Sequence, residues 1–345
     1  MTRADTAEDM SAFIAGLPKA ELHVHLEGTL EAEMKFALAE RNGLDLGHGS
    51  VEDLKATYTF HDLPSFLQVF YDGARVLLTE QDFSDLCHAY LKRIAGQNVL
   101  YSEMFFDPQQ HTDRGVPFEV VIDGLTDGRR RAEQEFGIKS GLILCFVRER
   151  SADSAMQTLD WAIPHKDKIV GLGLDSDEND NPPAKFAKHF AKARAEGFHL
   201  TMHCDLDIPG THEHIRQVIE EIEVERIDHG ANILDRPDLV EKAKARGLHF
   251  TICPTANDMI RGPHDQDVVT RSLAQGLPFS LNSDDPAYFG RDYMNGTFEI
   301  AQEGAGLTKR QLVDVSRNAF EAAWCAEEDR RAFLGRLDAY AAERL

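Results

Sequence analysis

Phe198-His-Leu-Thr-Met-His203 is a short apolar run closed by a histidine. The helical pattern His212–Ile222 follows it, and then Arg226-Ile-Asp-His229, another short run closed by a histidine. Short runs separated by helical patterns predict parallel strands joined by crossover helices. The alternation extends in both directions. Upstream lie Ala20–Leu26, Val99–Phe106, Gly141–Phe146 and Ile169–Leu174, and downstream Leu248–Cys253 and Pro278–Leu281, eight runs in all. Helical patterns at Glu80–Ala95, Pro183–Ala195 and Pro237–Arg246 separate them, with Thr79 placed to cap the first and Gly247 to end the last. Eight strands in this order predict an α/β fold, a closed (β/α)₈ TIM barrel in preference to an open doubly wound sheet.

The segment Glu31–Asn98, between the first and second runs, reads as a helical insertion, either a lid or a side element. Its Phe60, Phe66, Phe70 and Tyr71 stand near helical spacing. That suits core packing or a lid, with a homo-oligomer interface as the lesser alternative. After the eighth run, Thr308-Lys-Arg-Gln311 has the form of a capping box, and the chain stays helical towards Leu345. With no fixed-period repeat, low-complexity stretch or linker, residues 1–345 read as one domain.

The hydrophobic fraction of 42% over 345 residues is enough for a sizeable core. A net charge of -22 disfavours a polymeric nucleic acid as partner and leaves a small molecule as the expected substrate. Cys87, Cys145, Cys204, Cys253 and Cys325 are odd in number and scattered, which argues against a disulfide framework and for a reducing compartment. Met1–Met10 is polar and acidic without a signal-peptide pattern, and no run reaches the ~18 apolar residues of a membrane span. The expectation is a cytoplasmic protein with no membrane partner.

A barrel of this kind carries its active site where the strands end. His23 and His25 lie near the end of the first run, His203 ends the fifth, His229 ends the sixth, and Asp284 and Asp285 follow the eighth. Two residues apart on a strand, His23 and His25 face the same side, as two imidazoles sharing one metal would require. Singly, each has a plain explanation: a chance His-x-His, a core histidine, a strand cap, or an Asp-Asp turn before Pro286. Jointly they demand several accidents at one rim.

These residues bring a family into view. His23-Val-His25-Leu-Glu27-Gly28, Arg226-Ile-Asp-His229-Gly230, Cys253-Pro254 with Asn257, and Ser280-Leu-Asn-Ser-Asp284-Asp285-Pro286 resemble the adenosine deaminase branch of the amidohydrolases, from about Leu17 to Ala323. Phe105-Phe-Asp-Pro-Gln-Gln-His-Thr112, Gly173-Leu-Asp-Ser176 with Glu178 and Pro182-Pro183, and Asn282–Gly290 look like the adenine deaminase subgroup. The resemblance implies one Zn²⁺ per chain on His23, His25, His203 and Asp284, although such a set can take another divalent ion. It implies a metal-activated water, with His229 orienting or deprotonating it. Asp285 would share a hydrogen bond with a ring nitrogen. Glu27, in place of the nucleoside deaminases' aspartate, would fill the ribose space, and Glu178 and Gly173 would belong to the substrate site. The implied reaction is hydrolytic deamination of a purine-like free base, adenine or a 6-substituted adenine, releasing ammonia or an amine.

One motif departs. The family's His-Ala-Gly-Glu supplies a general acid, whereas this chain reads His203-Cys-Asp205-Leu206-Asp207, with leucine at the glutamate position. Three readings follow: Asp207 or Asp205 replaces the acid; the substrate is a different aminated heterocycle or a nucleoside; or the protein binds metal and ligand with little turnover. Loss of a general acid costs roughly 10²–10⁴-fold in rate, so a working enzyme needs a substitute. The other zinc deaminase fold needs P-C-x-x-C beside its H-x-E; here Cys253-Pro254 has the reverse order and no second cysteine, which excludes that fold, and the lack of a G-x-S-x-G elbow weighs against a serine hydrolase.

Overall fold

The computed structural model describes residues 7–204, 208, 211–261 and 267–345. Eight parallel strands follow one another in chain order: β1 (Lys19–His25), β2 (Val99–Phe106), β3 (Lys139–Val147), β4 (Gly171–Asp175), β5 (His199–Cys204), β6 (Arg226–His229), β7 (His249–Ile252) and β8 (Phe279–Leu281). Each of the eight expected runs is a strand. β2 is buried along its whole length, because neighbouring helices cover one face and the barrel interior the other.

The first and last strands close the ring. Leu22 N donates to Asn282 Oδ1 at 2.9 Å, Asp284 N to His23 O at 3.1 Å, and His25 N to Asp284 O at 3.0 Å. Asn282–Asp284 thus prolongs the short β8 alongside β1 and fixes Asp284 beside the two histidines of that strand. Buried Glu21 holds the same segment from below, accepting from Ser283 N at 2.7 Å and Ser283 Oγ at 2.9 Å.

The insertion holds the helices Ala32–Asn42, Val51–Lys55, Leu63–Ala74 and Glu80–Ala95. Leu63–Ala74 starts on a capping box between Asp62 and Ser65, and Glu80–Ala95 on one between Thr79 and Asp82. Phe60, Phe66 and Phe70 are buried against Tyr288 and Phe289, with Tyr71 packed on the same cluster, so these aromatics serve a lid inside the chain. Pro237–Arg246 is a helix as expected, ended by Gly247 at φ +66°. Two expected helices are not uniform. Pro183–Phe186 is a 3₁₀ turn before the helix Ala187–Glu196, and His212–Gln217 widens into a π-helix at Val218–Ile222. The capping box at Thr308 opens Lys309–Ala322, and Glu327–Arg344 completes the helical C-terminus.

Candidate active site

The strand ends bring His23, His25, His203, His229 and Asp284 to one point at the barrel mouth. His23 Nε2 lies 3.1 Å from Asp284 Oδ1, His25 Nε2 lies 3.4 Å from the same oxygen, and His25 Nε2 faces His203 Nε2 at 3.1 Å. His229 Nε2 is 3.9 Å from Asp284 Oδ2, and ligand atoms of His23, His203, His229 and Asp284 all lie within 4.8 Å of one another. Two of these residues hold left-handed backbone, His229 at φ +60° and Asp284 at φ +64°. Side chains other than glycine are held there at a cost of about 1–3 kcal/mol each, and such strain gathers where a side chain must be aimed.

The donor set suits a divalent metal. Buried His23 Nε2 lies beside Asp284 Oδ1, and His25 Nε2 crowds the same oxygen. Three imidazoles are backed at Nδ1 by an oxygen while Nε2 points inward. His23 Nδ1 pairs with Thr251 Oγ1 at 2.8 Å, His203 Nδ1 lies 3.4 Å from Asp228 Oδ2, and His25 Nδ1 lies 3.6 Å from Asp175 Oδ2. The His23 contact is a hydrogen bond of the kind that fixes the tautomer and ring plane of a metal-binding histidine, and a carboxylate oxygen stands near Nδ1 of each of the other two. Burial and then the neighbouring His23, His25 and His229 hold His203 well below the ordinary histidine range, which keeps it neutral. Burial works against the charged form of Asp284, yet the surrounding histidines hold its carboxyl below the usual range.

Asp228 is the residue the sequence motif contained but did not single out. Fully buried, it accepts from Thr251 Oγ1 and Thr201 Oγ1, each at 2.8 Å, and so stands behind both His23 and His203. A carboxylate alternating with Arg226 along a wholly buried strand was the available signal, since charge at such positions needs a partner. Asp228→Asn is expected to lower metal affinity about 10–100-fold while leaving the fold intact, as measured by competition with a chelating dye.

Around the cluster opens a cleft with an empty volume of about 570 Å³. Leu63, Phe66, Leu67, Phe70 and Tyr71 of the insertion form one wall; Asp107, Arg148, Asp175, Ser176, Glu178 and Asp285 line the rest. The Tyr71 hydroxyl bonds Ser176 Oγ, which in turn donates to Glu149 Oε1 at 2.9 Å, fastening the lid helix to the far rim. Asp285 packs so tightly against Gly28 that a Cβ there would lie 1.9 Å from Asp285 Oδ1, which explains the glycine. Burial, followed by Asp284, Asp175 and Glu27, pushes the Asp285 carboxyl well up, towards a form able to donate.

The remaining expected site residues are spread differently. Glu178 lines the cleft, its Oε1 accepting from His214 Nδ1 at 2.5 Å. Glu27 is buried beside the site, accepting from His111 Nε2 at 2.8 Å and Asp107 N at 3.3 Å. Gly173 sits within β4, where a Cβ would meet Cys145 Sγ at 2.6 Å, and Asp175, Ser176 and Glu178 of the same stretch line the cleft. Asp205 and Asp207, with Leu206 between them, lie outside the described residues.

The adenosine deaminase family model matches residues 18–340. An uncharacterized deaminase of Schizosaccharomyces pombe is 52% identical over 333 residues, covering 96% of this chain and 98% of that protein. The crystal structure of an adenine deaminase from Arthrobacter aurescens superposes with a TM-score of 0.90 at 36% identity, over 94% of this chain and 99% of that one. An amidohydrolase from Burkholderia ambifaria, solved with bound zinc, gives 0.88 at 28% identity, over 100% of this chain and 96% of that one.

Proposed function

Because this chain belongs to the adenosine deaminase family and is a hydrolase of C–N bonds, we propose that it removes the exocyclic amine of a purine-like free base, adenine or a 6-substituted adenine. The carrying observation is the convergence of His23, His25, His203, His229 and Asp284 on one point of a cleft walled on one side by Phe66 and Phe70. In this reading His23, His25, His203 and Asp284 would hold one Zn²⁺. Bound there, zinc supplies Lewis acidity that makes a water nucleophilic at neutral pH.

The chain's own groups do the rest. His229, buried at the end of β6, orients the attacking water and takes its proton. Asp285, with its carboxyl held towards the neutral form, hydrogen-bonds a ring nitrogen. Phe66 and Phe70, on the lid helix, exclude bulk water. Glu27, tied to His111, occupies the space a ribose would need. Proton delivery to the ring falls to Asp207 or Asp205 in place of the glutamate position that Leu206 takes. One water is consumed, the C–N bond breaks, and ammonia or an amine leaves as the ring carbon becomes a carbonyl. A cytoplasmic site of action goes with the five cysteines, which form no disulfide among the described residues, and no described helix is long and apolar enough to cross a membrane.

Leu206 favours one second reading, hydrolysis of another aminated heterocycle that needs no proton at that ring position. Amine release by the zinc-loaded protein from adenine, N6-substituted adenines, adenosine, aminopyrimidines and aminopterins separates the two. Turnover of a 6-aminopurine base is the expected result. Turnover of only a different ring system overturns the substrate, and silence throughout with stoichiometric zinc leaves a binding protein.

A further inference from the structure

The motif Phe105-Phe-Asp-Pro-Gln-Gln-His111-Thr112 carries a histidine set behind the cleft. His111 is fully buried on the short helix Pro108–Thr112. Its Nε2 lies 2.8 Å from Glu27 Oε1, and its Nδ1 lies 2.7 Å from Arg114 Nη2. A guanidinium has donors and no acceptor, so Arg114 donates and Nδ1 accepts. The ring proton is therefore on Nε2, where Glu27 accepts it. The other tautomer would set two N–H groups against each other and turn a lone pair towards the carboxylate. Asp107 N donates to the same Glu27 oxygen at 3.3 Å, so two donors fix Oε1 and with it the direction of the whole carboxylate.

Arg114 is itself anchored. Its Nη2 also reaches Ala74 O at 3.1 Å and Leu77 O at 2.6 Å, its Nη1 donates to Arg75 O at 3.1 Å, and its Nε to Gln110 O at 3.2 Å. Three of these carbonyls close the lid helix Leu63–Ala74 or follow it directly, and a cation is favoured at such an end. One arginine thus joins the end of the lid to the carboxylate of Glu27 through a single imidazole. Glu27 needs that support, because the carboxyl groups of Asp107, Asp175 and Asp285 all stand near enough to repel it. We propose that His111 and Arg114 are positioning residues, which hold Glu27 in the space a ribose would need and so set the preference for a free base over a nucleoside. This rests on the aminopurine reading above. Neither residue touches the substrate; both act through Glu27.

The test compares kcat/KM for adenine and adenosine in zinc-loaded wild type, His111→Leu, His111→Gln, Glu27→Ala and the double variant Glu27→Ala with His111→Leu. The adenine to adenosine ratio is expected to fall roughly 10–100-fold in His111→Leu, the effect of losing a hydrogen bond to a carboxylate. His111→Gln, whose amide offers one acceptor and one donor, should restore most of it. In the Glu27→Ala background His111→Leu should change the ratio no further, since the ring acts through that carboxylate. Equal slowing of both substrates by His111→Leu, or a further change of ratio in the double variant, would overturn the proposal. Nitrogen NMR of protein isotope-labelled at histidine reads the tautomer without any turnover. The His111 signals, identified by their absence from His111→Gln, should show a proton on Nε2 and none on Nδ1, whereas Arg114→Met should show a mixture. A proton on Nδ1 in wild type overturns the proposal even where His111→Leu does not fold. Wild type silent on every 6-aminopurine removes the function reading, and the specificity claim with it, while the tautomer is still read.

Discussion

His203→Ala is expected to abolish zinc binding and lower kcat/KM by on the order of 10⁴-fold or more, with folding retained. The imidazole is held neutral by burial and by His23, His25 and His229, and its Nε2 faces that of His25 at 3.1 Å. Two facing, buried nitrogens have little use for one another without a shared ion. The substitution leaves the backbone carbonyl that Arg148 grips in place, so the loss is confined to the ring. The informative companions are His25→Ala and His229→Ala. Geometry alone groups His229 with His23, His203 and Asp284 as tightly as any ligand, and also places His25 against Asp284. Their assigned roles differ, so their losses should differ. His25→Ala should lose metal with activity; His229→Ala should keep a full equivalent of zinc and lose roughly 10²–10⁴-fold in rate, as removal of a proton-transfer group does. Metal analysis of the two purified variants, beside their kinetics, decides. Zinc lost from His229→Ala and kept by His25→Ala would exchange the two roles.

The sequence made the strands and the groups at their ends legible for a simple reason. Short apolar runs mark buried parallel strands, and a polar residue that closes such a run is left at the barrel mouth. His203 and His229 carry this signal outright, while His23 and His25 lie just inside the end of the first run and Asp284 just past the eighth. Contacts across strands carry none. Asp228 lies behind His23 and His203 only because β5, β6 and β7 pair in a register that sets Asp228 opposite His203 and Thr251 and within hydrogen-bond reach of Thr201. Arg148 reaches His203 across the end of β4, and no spacing in the chain announces that. Gly173 shows that a motif does not say which of its residues line the cleft. It belongs to a motif that marks the site, but the strand continues two residues further, and what enters the cleft begins at Asp175. The π-helix at Val218–Ile222 was hidden for the same reason, since its apolar spacing there also suits an α-helix.

Glu103→Ala is expected to destabilise the fold by about 3–5 kcal/mol, the usual cost of stranding one member of a buried ion pair. Glu103, on β2, and Arg226, which opens β6, are both buried, with Arg226 Nη1 donating to Glu103 Oε2 at 2.7 Å. The guanidinium lies 3.9 Å from the centre of the Trp324 ring, and Trp324 N donates to Glu103 Oε1 at 2.5 Å. One carboxylate therefore neutralises the arginine and also fastens the chain that leaves the helix Lys309–Ala322. Without it, a cation with two further N–H groups lacking hydrogen-bond partners among the described residues remains buried. The double variant Glu103→Leu with Arg226→Met should cost far less than either single change, because it removes both charges and keeps most of the volume. Urea unfolding of the three proteins measures this. β6 is only four residues long, with Arg226 at one end and His229 at the other. If the base of the strand serves the fold alone, the folded fraction of each variant, assayed well below its unfolding midpoint, should keep its zinc and its kcat/KM. A loss of kcat/KM in the double variant without a matching loss of stability would instead show that Arg226 aims His229 through the strand.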